Sequence, residues 1–168
     1  MRADAVRNRA RILDAAADVF ARRGAAASTE EVAEVAGVAI GTVFRHFPTK
    51  RDLLAAILKD LLATLNQQAE TATLFEFFAS VVELSAERRA VVELLAVDVA
   101  RSIGSLPVDE LLAQAQKDYT VRADIKPDEI RALLTAASQG ALHGNWDADL
   151  RSRTLEVIFA GLRPSAGV

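Results

Sequence analysis

The residues best suited to recognise another molecule lie in one short segment, GVAIGTVFRHF at 37–47, which PTKRDLL follows at once. Thr42 offers a hydroxyl donor, Arg45 a cation, His46 an imidazole and Phe44 an aromatic surface. Such groups can donate to phosphate oxygens and can present a small face to base edges in the major groove of DNA. With a glycine turn at Gly37, the pattern predicts the recognition half of a helix-turn-helix.

Catalytic chemistry finds no support in the sequence. The chain has 2 histidines and no cysteine, and it lacks both an HExxH pair and a glycine-rich phosphate loop. The two histidines, His46 and His143, fall in different predicted modules. The sequence therefore predicts a protein that is not an enzyme and that has no cofactor, no metal site and no disulfide.

Composition favours an all-helical protein. The chain has 168 residues, 51% of them hydrophobic, with 8 glycines and 4 prolines, and few runs alternate with period two. Continuous apolar runs stay short of the roughly 18 residues that span a membrane. The polar N-terminus lacks the apolar core of a signal peptide, so we expect a cytoplasmic location.

Charge is divided unevenly along the chain. Residues 1–51 carry 9 Lys and Arg against 6 Asp and Glu, a net of +3, whereas residues 52–168 carry 11 against 17, a net of −6. A basic N-terminal part followed by an acidic C-terminal part fits a DNA-binding module attached to a domain that does not contact DNA phosphates. Many proteins show such asymmetry by chance, so the charge alone leaves the function open.

The first part of the chain predicts four helices. Helix 1 spans about 7–23 and ends at Gly24, and Ser28 with Glu31 forms a capping box that opens helix 2. Helix 3 runs from about Ile40 to Phe47, because Pro48 stops it. Thr49 caps helix 4. The expected buried positions of helices 2 and 3 are Val32, Val35, Ala36, Val43 and Phe47.

The remainder predicts five more helices. Thr73 with Glu76 opens the first of them, and Ser85 is expected to cap a helix over about 86–103 that Gly104 closes. Proline at the first turn suits the next two helices, which begin near Pro107 and Pro127. The second of these should end near 143–144, and Asp147 caps a last helix that runs to about Arg163.

Residues 7–65 resemble the DNA-binding region of the TetR family of transcriptional regulators. The matching stretches are RILDAAADVFARRG at 11–24, STEEVAEVAGVAIGTVFRHFPTK at 28–50 and DLL at 52–54. The resemblance implies about nine helices, three of them in a DNA-binding head, and a C-terminal domain that binds small ligands and forms a homodimer. On this basis we expect a helix-turn-helix domain at 1–48 and a ligand-binding and dimerisation domain at 49–168.

The same resemblance assigns roles to single residues. It implies phosphate contacts for Thr29, Thr42, His46 and Lys50, and positions in the groove for Ile40, Gly41, Phe44 and Arg45. The chain departs from the family pattern in having Ala39 and Phe44 where serine or threonine and tyrosine are usual, and an apolar Ile40. Phe44 as a core residue and His46 as an ordinary surface residue remain alternatives.

The C-terminal part, DYTVRADIKPDEIRALLTAASQG and RSRTLEVIFAGLRP, resembles a group of actinobacterial TetR-like regulators. It implies that the last two helices, about 127–143 and 147–163, pair with the same helices of a second subunit. These helices carry more apolar residues than one protomer's core needs, together with small residues that allow close approach. The expected interface residues are Ala137, Gly140, Ala141, Leu155, Ile158 and Leu162.

The family resemblance implies a ligand pocket among the middle helices, although an apolar stripe at helical spacing is more often simply core. Its candidate lining is Phe75, Phe78, Val82, Leu95, Asp98, Leu112 and His143. The function that follows is a repressor that a small, mostly apolar molecule releases from operator DNA. A regulator or architectural DNA-binding protein without a small-molecule ligand is the alternative, and activation in place of repression also stays open.

Overall fold

The structure is a computed structural model that describes the backbone of residues 2–164 and the side chains of residues 4–164. Within that range the chain forms ten α-helices and one turn of 3-10 helix at Gly24–Ala26, so the predicted all-α fold is confirmed. The helices are α1 Arg2–Arg23, α2 Thr29–Ala36, α3 Ile40–His46, α4 Lys50–Ala69, α5 Leu74–Glu87, α6 Arg89–Leu94, α7 Val99–Gly104, α8 Val108–Lys117, α9 Pro127–His143 and α10 Ala148–Leu162. None of these helices is long and apolar enough to cross a membrane.

Local capping signals set several of the helix starts. The Ser28 hydroxyl accepts a hydrogen bond from the Glu31 amide at 3.1 Å, and the Glu31 carboxylate accepts one from the Ser28 amide at 3.2 Å, which confirms the capping box. Thr73 and Glu76 form the same box before α5. The predicted cap of the last helix is also confirmed, because the Asp147 carboxylate accepts from the Leu150 amide at 2.8 Å.

The single helix predicted for residues 86–103 is wrong. Ser85 lies inside α5, where its hydroxyl donates to the carbonyl of Val81 at 2.8 Å, and α6 and α7 are separate short helices. Ala96 adopts a left-handed conformation (φ 49°) between them, and the Val97 amide donates to the carbonyl of Val92 at 3.0 Å. This is the geometry of a helix C-terminus that glycine usually supplies, so the sequence carries no signal for it.

The described chain divides into two compact units. The first contains the chain up to Leu62 together with Glu87–Val97, and the second contains Ala63–Ala86 and the chain from Asp98 onward. The helix-turn-helix therefore shares its unit with most of α4 and with α6. The domain boundary after residue 48 stays a prediction.

The core of the first unit is formed by the inner faces of α1, α2, α3 and α4. Ile12, Phe20, Val32, Val43 and Leu53 are completely buried there. The expected burial of Val35 is wrong, because its side chain is 51% exposed and Ala33 takes the inward position on α2. Helix α1 also begins at Arg2, five residues before the predicted start.

In the second unit, aromatic side chains join α5 to α10. Phe159 lies between Phe75 and Phe78, with ring centroids 4.6 Å and 5.5 Å away. Helix α9 contributes the buried side chains of Ile130 and Leu134 to the same unit.

Candidate nucleic-acid interface

The short helix α3 presents one buried and one exposed face. Val43 and Phe47 point into the core with 0% and 4% of their surface exposed, as predicted. On the other face, Ile40 and Phe44 are 37% and 42% exposed, which excludes the alternative that Phe44 is a core residue. Two apolar side chains held open to solvent on a seven-residue helix form a surface that can enter a groove.

Smaller and polar residues complete this exposed face. Gly41 and Arg45 are exposed, while Thr42 and His46 are half-buried at its edges. A Cβ atom added at Gly41 would meet no other atom within 4 Å, so no packing inside the chain requires glycine at this position. Arg45 and His46 both lie in the last turn, where they add donors beside the apolar pair.

The turn between α2 and α3 is fixed by Gly37 and by a long-range contact from α1. Gly37 adopts the left-handed conformation (φ 63°, ψ 40°) that ends α2. The Arg11 guanidinium donates to the carbonyl oxygens of Ala36 and Gly37, the second at 3.4 Å. A Cβ atom at Gly37 would lie 2.8 Å from Nη2 of Arg11, so the glycine also leaves room for this contact.

Helix α3 begins without a side-chain cap. Ala39 occupies the N-cap position, and no side chain there accepts a hydrogen bond, as expected from the departure noted in the sequence. The first turn depends on backbone hydrogen bonds. In one of them the Thr42 amide donates to the Ala39 carbonyl at 2.8 Å. A capping serine or threonine typically adds about 1 kcal/mol of helix stability, which this helix lacks.

Thr29 and Lys50, the other two residues expected to contact phosphates, lie at helix starts. Thr29 is the first residue of α2, and its hydroxyl donates to the Glu30 carboxylate at 3.3 Å. Lys50 is the first residue of α4, and its ammonium donates to the carbonyls of Ala25 at 3.1 Å and Ala27 at 2.7 Å. One of the three N–H groups of Lys50 is left for another partner.

Two cation–π contacts also stabilise this unit, one from Lys50 of α4 and one from Arg9 of α1. The Lys50 ammonium lies 5.3 Å from the centroid of the Phe20 ring, and the Arg9 guanidinium lies 5.4 Å from that of Phe47. Both distances are within the range of a cation–π contact. Thr49 and Asp52 cap the start of α4 reciprocally. The Thr49 amide donates to the Asp52 carboxylate at 3.0 Å, and the Asp52 amide donates to the Thr49 hydroxyl at 3.1 Å.

The seven candidate pocket residues do not line one cavity, which corrects the expected lining. Phe78, Val82 and Leu112 are buried core side chains of the second unit, whereas Leu95 belongs to the first unit. Asp98 caps α7 by accepting from the Arg101 amide at 3.0 Å, and His143 is exposed at the end of α9. Phe75 borders an open cavity of about 520 Å³ beside Tyr119 and Arg163, and Leu95 borders a different one of about 450 Å³ in the first unit.

A larger groove of about 730 Å³ lies elsewhere in the second unit. It runs between the end of α4, the connection to α5 and the exposed side of α8. Its lining residues are Asn66, Ala69, Glu70, Thr71, Ala72, Thr73, Leu74, Pro107, Glu110, Leu111, Gln114, Ala115, Asp118 and Thr120. Apart from the buried Leu74, Leu111 and Ala115, this lining is largely polar and open to solvent.

Four of the six candidate dimer residues are also placed differently from the expectation. Ala137, Ala141, Leu155 and Leu162 are buried within this protomer, so their side chains serve its own core. Gly140 and Ile158 are half-buried. A Cβ atom at Gly140 would lie 2.4 Å from the Trp146 ring, which shows that this glycine accommodates a side chain of its own chain.

The exposed faces of α9 and α10 carry other small and apolar residues. On α9, Ala132 and Ala136 are exposed one turn apart, in line with Gly140. On α10, Leu150 is 46% and Val157 is 75% exposed, and Gly161 continues the same face.

Comparison with known proteins gives this architecture a family. Residues 12–57 match the family of bacterial regulatory proteins named tetR, and residues 68–164 match the C-terminal domain of SbtR-like transcriptional regulators. The chain belongs to the TetR family. It is a DNA-binding transcriptional regulator with an N-terminal helix-turn-helix.

Individual TetR-family proteins resemble the chain over nearly its whole length. A crystallised TetR transcription regulatory protein from Mycobacterium vanbaalenii is 34% identical, covering 97% of this chain and 99% of its own, with a TM-score of 0.74. The HTH-type transcriptional repressor KstR2 of Rhodococcus jostii is 26% identical over 95% of this chain and 76% of its own length. The regulator UidR of Escherichia coli K12 is 28% identical over 99% of this chain and 95% of its own length.

Two contacts of this TetR-family head had no sequence signal as internal contacts. Arg11 lies 25 residues before Ala36, and Lys50 lies 23 residues after Ala27. An arginine or lysine on an exposed helix is typical of a solvated or phosphate-binding residue. Only the packed helices show that both side chains also donate hydrogen bonds to backbone carbonyls around the helix-turn-helix.

Proposed function

We propose that this TetR-family protein is a transcriptional repressor that binds operator DNA as a homodimer and is released by a small molecule. The observation that carries the proposal is the exposed face of α3, where Ile40, Gly41, Phe44 and Arg45 are open to solvent. A helix of this kind fits the major groove, where Arg45 can donate to guanine and the apolar pair can contact thymine methyl groups.

The surrounding donors are assigned to the DNA backbone. Thr42 and His46 flank the exposed face of α3, and Thr29 lies at the first turn of α2, where helix amides also favour a phosphate. Lys50 has a divided role, with two hydrogen bonds inside the protein and one donor free for a phosphate. Contacts of this kind fix the register on DNA without reading its sequence.

The homodimer is assigned to the exposed faces of α9 and α10. Ala132, Ala136 and Gly140 form a stripe of small residues on α9, and Leu150 and Val157 form an apolar stripe on α10. Small residues let two helices approach closely, and the apolar stripe supplies surface to bury. A two-fold dimer would present two recognition helices to half-sites about 34–36 Å apart.

Release from DNA requires an effector that distinguishes two states of the protein. A small, mostly apolar molecule bound to the second unit would shift the population away from DNA only if it binds the free protein more tightly. The groove of about 730 Å³ in that unit has the volume of a ligand site, although its polar lining also admits a more polar effector. Equal affinity for free and operator-bound protein would exclude a molecule as the effector.

Selection of genomic fragments by the purified protein tests the repressor directly. The enriched fragments should share one palindromic site, and deletion of the regulator should raise transcription from the adjoining promoter. An Arg45→Ala variant should lose the enrichment, whereas Lys117→Ala on the exposed side of α8 should keep it. Lower transcription after deletion would identify an activator, and enrichment without a shared site would contradict sequence-specific regulation.

A further inference from the structure

Besides the helix-turn-helix, the first unit contains an apolar groove with two cations on one of its walls. The groove has a volume of about 450 Å³ and is lined by Arg51, Ala55, Leu58, Lys59, Leu62, Leu95 and Val97. This volume lies within the range of about 300–1,000 Å³ that is usual for small-molecule sites.

One face of α4 supplies the floor and both cations. Arg51, Ala55 and Lys59 follow each other at intervals of four residues, and Leu58 and Leu62 lie beside them on the same side of the helix. The opposite wall comes from Leu95 and Val97, the two residues that flank the left-handed Ala96. The groove is therefore bounded by a helix and by a tight turn.

The apolar floor is preformed. Leu58 and Leu95 both pack against the buried core of the first unit, so the surface they present to the groove is held from beneath. Leu62 and Val97 are half-buried at its end. Covering such a surface with an apolar group lowers the free energy. The same apolar surface has no hydrogen-bond donor for a nucleic-acid phosphate.

The charge of the groove has one sign. Arg51 and Lys59 are exposed, and neither side chain forms a hydrogen bond or an ion pair with another residue of the described chain. None of the seven lining residues is acidic. An anionic group near the floor would therefore meet two unpaired cations, of which arginine binds carboxylates and phosphates through paired donors.

We infer that this groove binds an amphipathic anion, a small molecule with an apolar body and one carboxylate or phosphate group. The apolar body would lie along Leu58, Leu62 and Leu95, and the anionic group would accept hydrogen bonds from Arg51 and Lys59. The site lies wholly in the first unit and is separate from the groove that borders α8. The inference does not depend on the proposed repressor function.

Calorimetric titration of the whole 168-residue chain, without DNA, tests this site with four probes that have a chain of ten carbon atoms and with the shorter octanoate. Decanoate should bind at least tenfold more tightly than decanol, because the alcohol carries no charge for the two cations. Decyltrimethylammonium should not bind, since its charge has the wrong sign. Comparison of decanoate with decyl phosphate identifies the anionic group, and octanoate should bind about fourfold more weakly for each methylene removed.

Matched variants locate the binding. The double variant Arg51→Gln with Lys59→Gln should weaken decanoate at least tenfold, and both side chains are exposed, so the fold should be retained. Lys117→Gln on α8 is the control that should leave the affinity unchanged. Equal binding of decanol and decanoate, or unchanged affinity in the double variant, would overturn the inference. A third result would also overturn the inference: the natural protein does not bind decanoate, and the double variant loses DNA binding. The two cations would then contact DNA phosphates.

Discussion

The ammonium group of Lys50 donates a hydrogen bond of 2.7 Å to the carbonyl oxygen of Ala27. This contact ties the first turn of α4 to the connection between α1 and α2, and a second bond to Ala25 and the Phe20 ring reinforce it. The resemblance to TetR regulators had implied only a phosphate contact for this lysine. In this protein the side chain holds together the frame that carries the recognition helix.

Replacement of Lys50 by methionine separates these two roles. Methionine keeps the apolar stem but leaves two carbonyls without their partner, so we expect the free energy of unfolding to fall by about 1 kcal/mol. Urea denaturation measures the change, with Lys117→Met as the control. Unchanged stability, together with a fall of about 0.9 in the slope of log affinity against log salt, would show that the main role of Lys50 is a phosphate contact.

Gly37 and Arg11 form a second pair whose coupling can be measured. Gly37→Ala should destabilise the protein by more than about 1–2 kcal/mol, which is the strain of alanine in the left-handed conformation alone. The new Cβ atom would also displace the guanidinium, which lies 2.8 Å from its position. In an Arg11→Met background the penalty should shrink to the backbone part alone.

A double-mutant cycle in urea denaturation measures that difference. Gly41→Ala is the matched control, because Gly41 lies within α3, has open space around its Cβ position and gains helix propensity on substitution. Equal penalties for Gly37→Ala in the two backgrounds would contradict the coupling of Arg11 to the turn.

Much of the fold could be predicted because its signals are local. Ser28 with Glu31, Thr73 with Glu76, and Asp147 are capping residues whose partners lie three positions away, and the structure has each of them at a helix start. The exposure of Phe44 also followed from the sequence, since Val43 and Phe47 already occupy the inward face of a short helix.

The remainder depends on contacts that a linear pattern does not contain. The break at Ala96 uses a residue with no turn preference, so no local signal marks it. Five of the seven residues expected to form a ligand pocket are apolar at helical spacing, which is the pattern of a core, and Phe78, Val82 and Leu112 are core residues. The groove beside Arg51 joins segments more than thirty residues apart.

The capping box before α5 predicts a pH dependence. Hydrogen bonds from the backbone and the hydroxyl of Thr73 hold the pKa of Glu76 below its ordinary value. A carboxyl with a lowered folded-state pKa stabilises the protein above the unfolded-state pKa, and this contribution is lost as the pH falls through the folded-state value. The stability difference between the natural protein and Glu76→Gln should therefore shrink between neutral pH and the acid range.

Thermal unfolding at a series of pH values measures this difference. Glu110→Gln, on the exposed first turn of α8, is the control without a capping box. A difference for Glu76→Gln that stays constant from pH 7 to well below pH 4.5, the ordinary pKa of this carboxyl, would contradict the assignment of the cap.

The proposed dimer predicts that a charge on the exposed stripe of α10 separates the subunits. Val157 is 75% exposed in the single chain, so Val157→Arg should fold normally but place two like charges in a buried interface. Sedimentation velocity should show a monomer, and DNA affinity should fall with it. Ser152→Arg, on another side of the same helix, should remain a dimer. A dimer that survives Val157→Arg would place the interface elsewhere.

The central claim is that the exposed face of α3 reads a specific operator. Fluorescence anisotropy of the purified protein with its own upstream intergenic DNA tests this most directly, at two salt concentrations and with random DNA as control. We predict tight, saturable binding whose excess over random DNA persists at the higher salt, because base contacts depend less on salt than phosphate contacts. Binding of the upstream DNA no tighter than that of random DNA at both salt concentrations would contradict autoregulation through α3, and would direct suspicion first to Ala39, Ile40 and Phe44.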